Sequence, residues 1–326
     1  MLRAAATIDP AAGAQQGCRG PGGGRAEAEC SMPRHRQPRG LAPTARNGKR
    51  HAKPAKDNEM NTLTMLGTGS ALVTRCYNTC FAISTPGATL LTDAGGGNGI
   101  LCQLRKAGMH PDGIDFMFLT HAHTDHIMGA VWLVRTAASS LRGGRRHAPL
   151  RIFGHGRALG VLREMCLLLL SGSDRAVLDR AVSLCEVADG DVVTAGQTSL
   201  LCFDIASTKE KQFGYRATLP GGTTLVCLGD EPFNERNRPQ AEGADWLMSE
   251  AFCLYADRER YRPYEKHHST ALEAGRTAAS LRARNLIVYH TEDDSLATRK
   301  ERYGAEARTE YGGNVVVPDD LETIFL

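Results

Sequence analysis

The sequence predicts an α/β domain in which two mixed sheets pack face to face with helices on their outer faces. Three observations carry that expectation. From residue 60 onward, short strand-like runs alternate with helix-length amphipathic segments. The same texture recurs in the second half of the chain. Several runs stop abruptly on Gly, Asp or His, where open α/β sheets place their sites.

The elements follow in order. "TLTML" (62–66) alternates apolar or β-branched residues with polar ones and stops at Gly67, a strand before a Gly-rich turn. "NTCFAIST" and "TLLTDAG" are the next strands, joined by a turn at Pro86 and Gly87. Residues 98–108 carry Ile100, Leu101 and Leu104 at helical spacing and end on Gly108. "IDFMFLT" is a strand, and "HIMGAVWLVRTAASSL" after it a helix. Further strands are expected at "LRIFGHG", "SLLCFDI", "FGYRATL", "TTLVCLGD" and "NLIVYHT", and helices over 158–170, 173–181 and 271–284. No short solenoid repeat is present.

The chain has 326 residues, 42% hydrophobic and 23% charged, which suits an ordinary globular core. No apolar run approaches the about 18 residues of a membrane span. The longest, "MCLLLL" (165–170), reads as a buried helix end. The ten cysteines are scattered without a CxxC pair, which points to reduced, mostly buried thiols and a cytoplasmic location.

The net charge of +3 is unevenly spread. Residues 1–59 hold eleven Lys/Arg against five Asp/Glu, and residues 60–326 hold 28 against 31. The basic excess is therefore confined to the first segment, and the domain is mildly acidic, which argues against a broad nucleic-acid surface on it. Residues 1–59 are rich in Gly, Pro, Ala and Arg and poor in large apolar side chains, so they are read as a disordered basic leader. With no apolar h-region it is not a secretory signal. Translation starting at Met60, or a non-functional extension, is preferred to a transit peptide.

The chemistry concentrates in "FLTHAHTDHIMG" (118–129), which places His121, His123, Asp125 and His126 within six positions after an apolar strand. In extended chain, residues i and i+2 point the same way, so His121 and His123 converge on one point. Asp125 and His126, at the turn into a helix, converge on a second. Imidazole and carboxylate suit zinc, manganese or iron, and two ions about 3.5–4 Å apart form a hydrolytic clamp.

The HxHxDH pattern, with "MLGTGSAL", "LLTDAGGG", "CLGDE", "SEAF", "HHST" and "YHTED" in that order, resembles the metallo-β-lactamase superfamily, in its short-form ribonuclease Z-like branch. The resemblance spans roughly residues 62–326. It implies an αββα sandwich and a metal-dependent hydrolase, most of all a phosphodiesterase attacking with a metal-bound hydroxide. Two divalent metals are implied, zinc first, with manganese or iron as alternatives. His121 and His123 would hold the first, Asp125, His126 and His290 the second, and Asp230 would bridge them. Asp93 would orient the histidine loop. Glu250 and His268 would form a charge-linked catalytic pair, with Asp125 orienting the nucleophile. His268 sits just before a helix start marked by the capping box Thr270/Glu273; His267 reads as structural.

The sequence departs from the pattern at one point. The family places another metal-binding histidine shortly before the "FGY" strand, and "CFDIASTKEKQFGYR" contains none. The position falls on Ala206, or on Ser207 or Thr208 if the alignment slips, with His155 as a remote substitute. The first site is thus expected to be weak. Two rival readings stay open, an ester, lactone or thioester hydrolase and a degenerate member that binds a ligand or RNA without turnover. The tRNA-gripping arm of tRNA-maturing enzymes has no convincing counterpart: "SSLRGGRRHAPLR" is basic but short. A smaller phosphodiester or a cyclic nucleotide fits the acidic domain better. Lys209, Lys211 and Lys266 are candidate phosphate contacts. The branch is often dimeric, which leaves a homodimer open; no membrane partner is expected.

Overall fold

The computed structural model describes residues 60–326, so the reading of residues 1–59 as a leader falls outside the described residues. The strands are β1 (Thr62–Gly67), β2 (Cys80–Thr85), β3 (Ala88–Thr92), β4 (Phe116–Leu119), β5 (Leu150–Gly154), β6 (Val182–Glu186), β7 (Val192–Ala195), β8 (Thr198–Asp204), β9 (Phe213–Thr218), β10 (Thr224–Cys227), β11 (Trp246–Glu250), β12 (Asn285–Tyr289), β13 (Asn314–Val316) and β14 (Thr323–Phe325). The helices are α1 (Gly99–Lys106), α2 (Thr124–Arg142), α3 (Gly156–Leu169), α4 (Gly172–Arg175), α5 (Leu178–Ala181), α6 (Arg238–Ala241), α7 (Arg258–Tyr261), α8 (Ala271–Ser280) and α9 (Arg299–Ala307).

The two seven-stranded sheets run β14-β1-β2-β3-β4-β5-β6 and β13-β12-β11-β10-β9-β8-β7. They share one logic. In each, an antiparallel meander (β1–β3, β7–β10) passes into parallel strands (β3–β6, β10–β13). β14 returns to pair with β1, Thr62 opposite Phe325, closing the chain on its first sheet.

Burial divides into three layers, as the fold class requires. Phe81, Phe118 and Phe153 from the first sheet meet Phe213, Tyr215 and Met248 from the second in the inter-sheet core. Leu104, Ile127, Val134 and Leu162 pack the first sheet under α1, α2 and α3. Val226, Leu286, Ala274 and Tyr303 do the same on the outside of the second sheet. The α2 helix can run this close to the β3 end because position 129 is glycine. A Cβ there would collide with the Ala94 carbonyl, and the Gly129 N–H donates to the Gly95 carbonyl at 2.9 Å.

Some elements differ from the sequence reading. The expected helix over 173–181 is two short helices, α4 and α5, separated at Val177 (φ −116°). Asp174, buried against Arg142 at 2.6 Å, anchors the first, while Leu178 and Ala181 bury the second. Strands β6, β7, β11, β13 and β14 and helices α6, α7 and α9 were not anticipated. The "MCLLLL" run is not a buried helix end. Leu168 and Leu169 are 79% and 64% exposed. On α3 the stripe facing the sheet is Ala158, Leu159, Leu162 and Cys166, and the two leucines lie off it. Among the described residues no helix is long and apolar enough to cross a membrane.

Candidate metal centre and active site

Four strand ends and one helix start build the site. The β4 strand ends at Leu119 and delivers Thr120 and His121. His123 is the N-cap of α2, and Asp125 and His126 lie in its first turn. Asp230 follows β10 after the Gly229 turn, Glu250 is the last residue of β11, and His290 follows β12. Because β10, β11 and β12 are parallel neighbours, their carboxyl ends lie side by side.

Asp230 is the hub. Its Oδ2 lies 3.7 Å from His121 Nε2, 3.5 Å from His126 Nε2 and 3.6 Å from His290 Nε2. Asp125 Oδ2 lies 3.4 Å from His126 Nε2 and 3.5 Å from His290 Nε2. Donors on a zinc ion with bonds of about 2.0–2.1 Å stand about 3.4 Å apart along a tetrahedral edge. The four separations of His126 and His290 from Asp125 and Asp230 match that spacing, and His126 Nε2 and His290 Nε2 are buried without a protein partner. His121 Nε2 and His123 Nδ1 face each other at 2.9 Å. Four groups of donors could hold a metal among the described residues, and two of them form the centre, His121, His123 and Asp230 and, beside them, Asp125, His126 and His290; Glu250, His268 and His290 form a third. Metallo-β-lactamase-fold hydrolases use divalent metals, and these donors fit such ions.

Asp93 forms another close group with His121 and His126, but its oxygens are already spent. Oδ1 accepts the Thr120 N–H at 2.9 Å, and Oδ2 accepts both the Thr120 hydroxyl and His126 Nδ1 at 2.7 Å. The Thr120 hydroxyl also touches His121 Nδ1 at 2.9 Å. A hydroxyl has one proton. Given to Asp93, it leaves the oxygen to accept from His121 Nδ1–H. Both rings are thereby held through Nδ1 with Nε2 turned to the centre. Asp93 reaches this position at φ +53°, a left-handed conformation that a short polar residue tolerates.

The electrostatics favour cation binding. Burial acts to raise the Asp230 carboxyl, but His121, His126 and His290 hold it well below its ordinary value. Asp125 is held low in the same way against burial, by His126 and His290. Burial lowers the His121 imidazole well below its usual range despite Asp230. On His126 burial works downward too, but Asp125 and Asp93 outweigh it and raise the ring. The carboxylates are thus ionised, and the neutral His121 has a lone pair to give.

Glu250 and His268 stand at the rim. His268 Nδ1 lies 3.5 Å from Glu250 Oε2, and its ring centre is 5.1 Å from that of His290. The other Glu250 oxygen accepts the Ser269 N–H at 2.5 Å. His268 stacks on Phe252 at 5.1 Å, and the Thr270/Glu273 capping box behind it starts α8. His267, at φ +57°, bonds Thr208 Oγ1 at 2.8 Å and ties two rim loops together.

Ala206 sits in the loop after β8 at φ +58°, in the wall of a cavity of about 480 Å³ shared with Glu231, Phe233, Tyr264 and His268. It supplies no donor. His155 is not a substitute. Its Nδ1 accepts from the Ala158 N–H at the start of α3, its ring packs on Phe213, and it joins none of the metal-competent groups of the described residues. Two contributors escaped the sequence reading. Thr120, directly before His121, was within sight of it; Gln212, whose side-chain amide grips Asp230, carried no signal.

A profile of the family described as Anti-Pycsar protein Apyc1 matches residues 61–302. Ribonuclease Z of Methanothermobacter thermautotrophicus is 28% identical over 314 residues, covering 81% of this chain and 96% of that one. The metallo-β-lactamase fold protein YhfI of Bacillus subtilis superposes with a TM-score of 0.68 at 20% identity, over 82% of this chain and all of the other. The short form of human tRNase Z superposes at 0.62 with 22% identity, over 81% and 98%. With the profile spanning most of the domain and the histidine loop seated at the strand ends, the chain belongs to the Anti-Pycsar protein Apyc1 family and is a ribonuclease Z-like hydrolase of the metallo-β-lactamase fold.

Proposed function

We propose that the chain is a two-metal phosphodiesterase acting on a small phosphodiester, with a cyclic nucleotide the class its site suits best. The observation that carries this is Asp230 Oδ2 at the meeting point of three imidazoles, with His268, backed by the buried Glu250, lining the cavity beside it. Two divalent ions, zinc or else manganese or iron, would neutralise phosphoryl oxygens and supply the nucleophile from water at neutral pH. His121 and His123 would hold the first ion, Asp125, His126 and His290 the second, and Asp230 both. Asp125 orients the nucleophile. Glu250 Oε2, 3.5 Å from His268 Nδ1, would steady that side of the ring, leaving the other nitrogen to protonate the leaving oxygen.

The cavity is of a size that takes a nucleotide-sized ligand. Phe233 and Tyr264 give it apolar walls, and Glu231 and Asn234 give polar ones. The basic "SSLRGGRRHAPLR" segment supports the small substrate, because Arg142 and Arg146 are tied into the fold, while Arg145 and Arg151 stay exposed. Arg142 pairs with Asp174 and Arg145 with Asp112, Arg146 is buried on the Ala148 and Ile114 carbonyls, and Arg151 lies over Phe116 and Phe153.

The test is a panel of substrates given to the metal-loaded protein: bis(p-nitrophenyl) phosphate, cyclic nucleotides, a precursor tRNA and simple lactones. Turnover of the first two, abolished by chelator, is expected. Cleavage of the precursor tRNA alone, or of lactones alone, would overturn the assignment.

A further inference from the structure

The loop between β8 and β9 has no ligand to give the first metal site, yet it enters the site through Gln212. We infer that Gln212 is a positioning residue for the bridging carboxylate: it fixes Asp230 so that one oxygen alone, Oδ2, is presented to the ions. The inference rests on the metal centre proposed above.

Gln212 is completely buried. Its Oε1 accepts the Asp230 N–H at 2.8 Å, and its Nε2 donates to Asp230 Oδ1. Both ends of one amide are thus spent on one residue, its backbone and its carboxylate together. The partner turn is shaped for this. Gly229 has φ +84°, and a Cβ there would collide with Gln212 Oε1. The Tyr289 hydroxyl holds the Gly229 carbonyl from the other side. The Gln212 backbone is anchored as well, its carbonyl accepting the Ile205 N–H at 3.1 Å.

With Oδ1 taken, the freedom left to Asp230 is small. A carboxylate free to turn could chelate one ion with both oxygens and abandon the other. Held as it is, Oδ2 stays about equally far from His121, His126 and His290. This matters most for the first site. There Asp230 is one of three donors found among the described residues, with His121 and His123, and Ala206 adds none. Losing the amide should therefore cost the first ion more than the second.

The experiment compares the full chain with Gln212→Leu, which keeps bulk and removes both polar contacts, and with Asp230→Ala. Zinc affinity is read by competition with a chromophoric chelator, and zinc per chain by elemental analysis. Circular dichroism of the metal-free proteins checks the fold. Gln212→Leu is expected to lower affinity for the weaker ion by about tenfold to a hundredfold, the usual range for removing an outer hydrogen-bond partner, with the tighter ion less affected. Unchanged affinity and stoichiometry at both sites would overturn the inference. If Gln212→Leu does not fold, Gln212→Met, with an unbranched side chain of similar length, takes the same measurement and the same criteria. Zinc binding unaltered in Asp230→Ala would instead overturn the metal assignment itself, so the two failures are distinguishable.

Discussion

His126 and His290 each lie 3.4–3.6 Å from both Asp125 and Asp230, close to the edge of a zinc tetrahedron, while His121 and His123 share Asp230 with no further donor among the described residues. The two proposed sites sit on one hub but are unlike in supply. The difference teaches that a sheet-end metal centre can lose a ligand locally without losing its frame. The His121 ring keeps its Thr120 and Asp93 support, and Asp230 keeps Gln212. What the first site lacks in donors it partly recovers in order.

Four experiments would break or sharpen this contrast. The largest effect is expected from Asp230→Ala, which removes the donor common to both sites. Turnover should fall below detection and metal per chain from about two towards zero, while the circular dichroism spectrum is kept. Retained turnover would mean Asp230 is not the bridge. Next, Thr120→Val deletes the hydroxyl that relays Asp93 to His121. About a tenfold to hundredfold loss of affinity is expected at the first site, and Thr120→Ser should restore it. An equal loss at both sites would mean that Asp93, not the relay, is what matters.

Restoring a donor is the converse probe. The left-handed backbone at Ala206 accepts histidine better than most residues. Ala206→His is expected to slow loss of the first ion during dialysis against a chelator. No change in the dissociation rate would place the missing ligand elsewhere in the loop, at Ser207 or Thr208. The smallest effect concerns thiols remote from the ions. Burial pushes Cys166, Cys202 and Cys253 up to about 12. Such thiols stay protonated below that value, with thiolate on the order of 10⁻⁴ of the total at pH 8. Among the cysteines of the described residues, maleimide at pH 8 should therefore reach the half-buried Cys102 and Cys185 first, and peptide mapping would show it. Early labelling of Cys202 would mean that β8, next to the 205–212 loop, opens in solution.

How far the sequence could be read depended on what made each element. Strands with their own apolar runs, such as β4 and β12, were legible, and so were the long amphipathic stretches of α2 and α8. Short edge strands β13 and β14 hold three residues each and exist because a neighbour offers unpaired backbone, Asn314 beside Asn285 and Thr323 beside Thr64. No local pattern encodes that. The leucines of α3 misled because hydrophobicity alone does not say which side of a helix meets the sheet. At the site, residues that carry chemistry by type stood out, His121, His123, Asp125, His126, Asp230 and His290. Gln212 did not, because an amide is informative only through its partner.

The sequence by itself determined the class of the fold, the identity of the clustered donors and the absence of a histidine in the segment before β9, since these depend on residue type and local period. Only the tertiary structure decided that Asp230 Oδ2 lies between three imidazoles, that His155 caps α3 instead of joining the donor cluster, and that Thr120 and Gln212 hold the donors in place. The contacts of Asp230 join residues far apart in the chain, and they come into being when two sheets close on one another and bring their strand ends together; the local ones, at His155 and Thr120, depend on which way a ring turns in that frame.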